Sequence, residues 1–258
     1  MHASNFIDPE NRKGKVAGAM SIPLADHQAG FIIANAVGID SDVITIAHEG
    51  GHSVHWAAAT GLPIAMYHEM MLFPMEIAEV GSMAMEFLAF DHLDEYYENS
   101  DHIKRAKRAE LESTLRFLPW CMAIDAFQQW IYTNPDHTSD ERMAFFNTLM
   151  DRFDGAAGID YGGIENEASA RWIRQTHVFQ SPFYYIEYGI AQLAALGIYK
   201  NLKEKGAIAI QQYDDFINLG NSRSLPELYE AAGVKFDFST SYIKSLTSFV
   251  KKELSSLE

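Results

Sequence analysis

Apolar and polar positions alternate only near the start of the chain. Residues 15–22 and 30–34 are short, glycine-punctuated apolar runs, which predict two edge strands or a small hairpin around residues 23–28. From Asp40 onward the periodicity is helical almost to the end. Ser41 or Asp42 is placed to cap a helix running through Ala59, and the Gly61-Leu62-Pro63 turn ends it. A second helix is expected over 75–97, with Ile77, Val80, Ala84 and Leu88 on its apolar face. A long helix over 103–132 carries Pro119, which should interrupt and kink it. Further helices are expected over 139–153, 168–178, 182–205, 208–219, 224–232 and 239–257, while 155–163, with four glycines, reads as a loop. No repeat, low-complexity tract or linker interrupts the pattern. The expectation is a mainly α fold in a single domain, 1–258, with a β-containing opening segment, 1–40, ahead of a helical body, 41–258.

Composition narrows the function classes. At 258 residues with 48% apolar and 21% charged positions, the chain can bury a substantial core. A net charge of −15 repels phosphate backbones, so nucleic acid is excluded as a partner class. No run of 18 uncharged apolar residues occurs, and the charged first 15 residues lead into no signal core, so neither membrane insertion nor secretion is expected. The one cysteine, Cys121, forms no internal disulfide and reads as a small buried apolar residue. A cytoplasmic location is the expectation that follows.

The strongest chemical signal is His48-Glu49-Gly50-Gly51-His52. Histidines four apart on a helix share a face, so both imidazoles can reach one cation. Glu49 lies about 100° round the helix from His48, beside a metal rather than on it, where a carboxylate can take a proton from water. Two glycines inside the pentad each weaken a helix by roughly 1 kcal/mol, which points to something approaching that helix closely. A catalytic zinc needs a third ligand and an open position. His55 stands two turns from His48, too far along the axis. His68 and Glu69 in the connecting segment, and Glu76, Glu79 and Glu86 on the next helix, all remain open by spacing. Glu79 falls 27 residues after His52 near the start of a helix that can pack antiparallel to the first. Glu86, seven residues further on the same face, is either an acceptor for a ligand imidazole or a solvated charge.

These residues carry a family resemblance. The pentad with His55, then Phe73-Pro74-Met75-Glu76-Ile77-Ala78-Glu79-Val80-Gly81-Ser82 and Glu86, resembles the thimet oligopeptidase and oligoendopeptidase F family of zinc peptidases. In that family the third zinc ligand opens a Glu-x-x-Ser stretch with another glutamate seven residues on, a frame that Glu79 fits and Glu76 does not. Asn11-Arg12-Lys13-Gly14-Lys15 with Gly18-Ala19, Trp172, His177 and Pro182-Phe183-Tyr184-Tyr185-Ile186-Glu187-Tyr188, and Leu219-Gly220-Asn221-Ser222 with Ala232-Gly233-Val234 extend the likeness along nearly the whole chain.

The resemblance implies a zincin-like helical catalytic domain. It implies Zn²⁺ held by His48, His52 and Glu79, Glu49 as general base, and oligopeptides as substrates cleaved at internal bonds. By residue type alone the aromatic cluster at 177–188 reads as core. The resemblance instead implies Tyr188 as oxyanion donor and His177 as a second contact to substrate, with Tyr185 a weaker third choice and Tyr184 left in the core. Family members usually carry a further helical region before this part. Its absence here leads to the expectation of a homo-oligomer or an N-terminal partner, and to the alternative of a zinc-bearing helical scaffold or half of a split peptidase.

Overall fold

In the computed structural model of the protein, residues 6–24, 27–69, 72–153 and 159–258 are described. The element order is β1 (Ile7–Glu10), β2 (Met20–Leu24), β3 (Ala29–Ala36), α1 (Asp40–Ala59), α2 (Ala65–His68), α3 (Met75–Leu88), a 3-10 segment (Ala89–Glu95), α4 (Ser100–Thr133), α5 (Ser139–Phe153), α6 (Glu165–Ser169), a second 3-10 segment (Arg171–Arg174), α7 (His177–Gln180), α8 (Tyr185–Lys205), α9 (Ala207–Leu219), α10 (Leu225–Ala231) and α11 (Thr240–Ser256). The fold is mainly α with a small N-terminal sheet. The chain divides into two compact units, one of residues 1–111 with 191–258, the other of residues 112–190.

In the first unit the three strands order as β1-β3-β2. The expected hairpin is present: β2 pairs antiparallel with β3, Met20 opposite Ile33 and Leu24 opposite Ala29. Part of its turn, residues 25 and 26, lies outside the described residues. Gly30, Ile32 and Ala34 alternate onto the buried face of β3. The third strand was not foreseen. β1 runs parallel to β3, with its register shifting between Asp8 and Glu10, around a proline that cannot donate to the ladder. Lys15 supports this strand by donating from Nζ to the carbonyls of Asp8 (2.8 Å) and Glu10 (2.9 Å).

Helix α1 begins at Asp40 with Ile39 as its N-cap, so neither Ser41 nor Asp42 is the cap; Asp42 instead sits in the first turn. The Asp42 carboxylate accepts the backbone N–H groups of Val37, Gly38 and Ile39 at 2.7–2.9 Å, which fixes the turn into the helix and, led by the Ile39 bond, holds its pKa low. A hydroxyl pair, Ser21 with Ser53 at 2.8 Å, ties β2 to α1. Helix α3 is buried along nearly its whole length and stops at Leu88, where the chain tightens to 3-10 instead of continuing as α-helix to residue 97. Beyond α9, Gly220 turns at φ 50° directly against the Tyr67 carbonyl, and the next amide, Asn221 N–H, donates to that same oxygen at 2.9 Å. Any side chain at residue 220 would displace the α1–α2 connection. Phe87, Phe90, Tyr199 and Phe249 stack in this unit's aromatic core.

The second unit packs Cys121, Ile124, Phe127, Phe146, Leu149 and Trp172 at its centre. Cys121 is fully buried; burial pushes its thiol up to about 12, and Sγ donates to the Tyr185 carbonyl at 3.0 Å. It is the inert apolar residue its neighbours implied. Helix α4 passes through Pro119 without a break. The single helix expected over 168–178 is instead α6, a 3-10 turn and α7. Between the 3-10 turn and α7, the Gln175 side chain accepts from Trp120 Nε1 at Oε1 (3.2 Å) while its Nε2 meets His177 Nδ1 (2.7 Å). Helix α8 starts three residues later than expected because Phe183 sits at φ 66° with its N–H donated to Gln128 Oε1 (2.9 Å). Part of the expected 155–163 loop lies outside the described residues.

Candidate metal centre

Helices α1 and α3 cross at Gly51 and Gly81. A Cβ on Gly51 would stand 2.7 Å from the Gly81 carbonyl oxygen and 2.7 Å from Ser82 Cα, and one on Gly81 would stand 2.7 Å from His55 Nδ1. The pentad's second glycine is therefore where α3 approaches α1, backbone to backbone. Gly50 faces open space. Gly51→Ala should destabilise the fold by about 1–3 kcal/mol through overpacking, despite alanine's better helix propensity. Gly50→Ala should be neutral or stabilising by up to about 1 kcal/mol. Paired denaturant titrations of the two variants check this, and equal effects would refute the crossing as the reason for Gly51.

The close crossing brings three donors together. His48, His52 and Glu79 each offer one ligand atom, all within 4.8 Å of one another. Glu79 Oε2 stands 3.3 Å from His48 Nε2 and 3.6 Å from His52 Nε2. Two donors on tetrahedral zinc, each about 2.0–2.2 Å from the ion, lie about 3.3–3.5 Å apart, which is close to the spacing of Glu79 from each imidazole. Among the described residues no other group of histidines, cysteines and carboxylates converges this way.

Two of the three donors, Glu79 and His48, are held from behind. Ser82 Oγ donates to Glu79 Oε2 (3.0 Å) and to the Glu79 carbonyl (3.1 Å), so the serine of the Glu-x-x-Ser frame orients the carboxylate. His48 Nδ1 meets Glu86 Oε1 at 2.6 Å, leaving Nε2 to face Glu79 and His52. Glu86 is buried and is the imidazole's acceptor, not a solvated charge. One bolt had no sequence signal: Tyr213 on α9 donates its hydroxyl to the Gly81 carbonyl at 2.7 Å, fixing α3 at the crossing.

Electrostatics follow the geometry. Burial works against charge on His48, but hydrogen bonds and charge from Glu79 and Glu86 outweigh it and raise its pKa. Burial likewise works against the Glu79 charge, and the two histidines outweigh it and lower its pKa. His52 is pushed down to about 4, mainly by burial, so it is the neutral imidazole a metal requires. Glu49 is buried beside them. Burial, with smaller contributions from Glu79 and Glu86, pushes its carboxyl up to about 7, near the value suited to a base working at neutral pH.

The other candidates go elsewhere. His55 is a core residue between Phe73 and Phe216, pushed down to about 3 by burial. His68 Nδ1 bonds the Leu62 carbonyl (2.9 Å), and neither Glu69 nor Glu76 joins the converging group. His177 and Tyr188 belong to the second unit, where they meet edge to face with ring centroids 5.6 Å apart. Tyr184, expected in the core, stacks on His177 and is only half-buried, whereas Tyr185 is buried in the core.

Comparison with known proteins agrees with this architecture. The chain is 27% identical over 259 residues to the chromosomal oligoendopeptidase F of Lactococcus lactis subsp. cremoris, covering 98% of this chain and 41% of that protein. It is 25% identical over 223 residues to an oligoendopeptidase F homolog of Borreliella burgdorferi, covering 84% and 36%. A solved structure of PZ peptidase A with an inhibitor matches with a TM-score of 0.88 at 27% identity, covering 99% of this chain and 44% of that one. The chain thus spans about two-fifths of the length of the relatives it matches. The sequence pattern of peptidase family M3 matches residues 1–248, nearly the whole length. On that match, the chain belongs to peptidase family M3.

Proposed function

We propose that residues 1–258 act as one catalytic domain of a zinc-dependent endopeptidase that hydrolyses oligopeptides. The observation that carries this reading is the convergence of His48, His52 and Glu79, with Glu79 Oε2 3.3 Å from His48 Nε2 and 3.6 Å from His52 Nε2 and a buried carboxylate beside them. Family membership and the oligoendopeptidase names of the relatives support the substrate class. The ion, when bound, supplies a Lewis acid that acidifies water and polarises the scissile carbonyl.

His48, His52 and Glu79 hold that ion, with Ser82 and Glu86 orienting two of the three. Glu49 accepts the proton of the attacking water and passes it to the leaving amine. Tyr188 is assigned as hydrogen-bond donor to the developing oxyanion and His177 as a second contact to it or to substrate. The peptide main chain pairs near Gly18–Met20, alongside β2, which is an edge strand. Among the described residues no helix is long and apolar enough to cross a membrane. A cytoplasmic site of action fits a chain whose one cysteine is a buried thiol.

The test is mass-spectrometric mapping of products from a mixed oligopeptide library, with and without a chelator. Internal cleavage that the chelator stops and zinc restores is the expected result. A monomer that binds zinc and cleaves nothing would favour the alternative, a zinc-bearing scaffold or half of a split peptidase that requires a partner chain. In the same assay Tyr188→Phe should lower kcat more than it raises KM. An unchanged kcat would remove Tyr188 from the mechanism.

A further inference from the structure

Helix α9 carries no group of the proposed chemistry, yet it touches both helices that bear the donors. Phe216 of α9 meets the His55 ring of α1 with centroids 5.1 Å apart. Three residues earlier, Tyr213 is buried and donates its hydroxyl to the Gly81 carbonyl of α3 at 2.7 Å. That carbonyl oxygen stands at the helix crossing, where a Cβ on Gly51 would lie 2.7 Å from it. It belongs to the peptide joining Gly81 to Ser82, and Ser82 Oγ holds Glu79 Oε2 at 3.0 Å. As an interior carbonyl of an α-helix it already accepts from the amide four residues on, and the phenol takes its second lone pair. Gly81 has no side chain to pack, so the backbone between Glu79 and Ser82 is fixed by what reaches its main chain. At its far end α9 is fixed in turn: after the Gly220 turn, Asn221 N–H donates to the Tyr67 carbonyl at 2.9 Å.

We propose that Tyr213 is a positioning residue of the metal centre. Its hydroxyl, carried on α9, pins the Gly81–Ser82 peptide and so fixes how far α3 is turned about its axis where Glu79 faces the two imidazoles. Ser82 aims the Glu79 carboxylate within α3; Tyr213 aims α3 itself. Metal–ligand distances tolerate errors of only about 0.2 Å, so a small rotation of α3 reaches the ion. With the hydroxyl removed, α3 keeps its own ladder of hydrogen bonds, and the loss falls on the placement of Glu79 rather than on the helix. The inference rests on the metal reading of His48, His52 and Glu79, and it adds a third helix, α9, to the two that carry the donors.

The test compares the wild type with Tyr213→Phe and Tyr199→Phe. Each variant keeps its ring and loses one phenol hydroxyl of the first unit; that of Tyr199 donates to Glu253 on α11 at 2.9 Å, away from the Gly81 carbonyl. Competition with a chromophoric chelator gives the zinc dissociation constant, and the visible spectrum of the cobalt-loaded chain reads the geometry of the ligands. Tyr213→Phe should bind zinc about 10-fold more weakly and shift the cobalt bands, whereas Tyr199→Phe should leave both unchanged. Unchanged affinity or an unchanged cobalt spectrum in Tyr213→Phe, or equal changes in the two variants, would overturn the assignment. The wild type supplies a measurement that needs no variant to fold. Gly81-Ser82 is the one Gly-Ser step in the sequence, so carbonyl-labelled glycine combined with amide-labelled serine isolates the Gly81 carbonyl by nuclear magnetic resonance. Its resonance should lie downfield of ordinary helical glycine carbonyls, because it accepts twice, and an ordinary position would overturn the proposal. A wild type that binds no zinc would overturn the metal reading, and this inference with it. Zinc bound equally by wild type and Tyr213→Phe would overturn this inference alone.

Discussion

Glu49→Gln is expected to retain zinc at wild-type stoichiometry while losing peptide hydrolysis by about 10²–10⁴-fold, or about 3–5 kcal/mol of transition-state stabilisation. The amide has the shape of the carboxylic acid but cannot accept a proton from water. Glu49 lies outside the group of converging donors, so the ion should be indifferent to the change. The raised position of its carboxyl comes chiefly from burial, an environment the neutral amide tolerates, so folding should survive as well. Initial rates on a fluorogenic peptide, together with metal analysis of the same sample, separate the two effects. Wild-type turnover by the variant would end the general-base assignment.

Glu79→Ala is expected to have the other large effect, on the ion itself. It leaves two imidazoles where catalytic zinc needs three protein ligands. It also removes the partner 3.3 Å from His48 Nε2 and the acceptor of Ser82 Oγ. The loss of zinc affinity should exceed the roughly 10–100-fold that follows removal of an outer partner such as Glu86. Activity should vanish with the metal and return only at high zinc concentration. Chelator competition reads the affinity, and circular dichroism establishes that α1 and α3 still form. Unchanged affinity in a folded variant would remove Glu79 from the ligand set and, with it, the spacing argument on which the site rests.

The legible parts of this protein were those governed by a local period. The helical spacing of His48 and His52 and the alternation around Ile32 required no tertiary information. Glu79 was legible through register, because a serine stands three residues after it and a glutamate seven. Glu86 was not decidable, since a charge on a helix face does not reveal whether solvent or an imidazole covers that face. Tyr213 gave no signal at all: it matters through the Gly81 carbonyl on another helix, and it looks locally like an ordinary helix residue. Strand β1 was hidden by its four-residue length and by Asp8, Pro9 and Glu10, which oppose strand formation in isolation. That Tyr185 rather than Tyr184 is the buried one was not legible, because α8 begins only at Tyr185, after the left-handed residue Phe183.

The glycine crossing of α1 and α3 has a consequence for how this centre can change. With main chain resting on main chain, the gap between the two rods is already at its minimum and works as a fixed jig for the donors they carry. No graded series of side chains can widen it by small steps, because the first added carbon already collides with a carbonyl. Retuning the preference for one cation over another must therefore act from behind, through the groups that aim Glu79 and His48, while the separation of the rods stays constant.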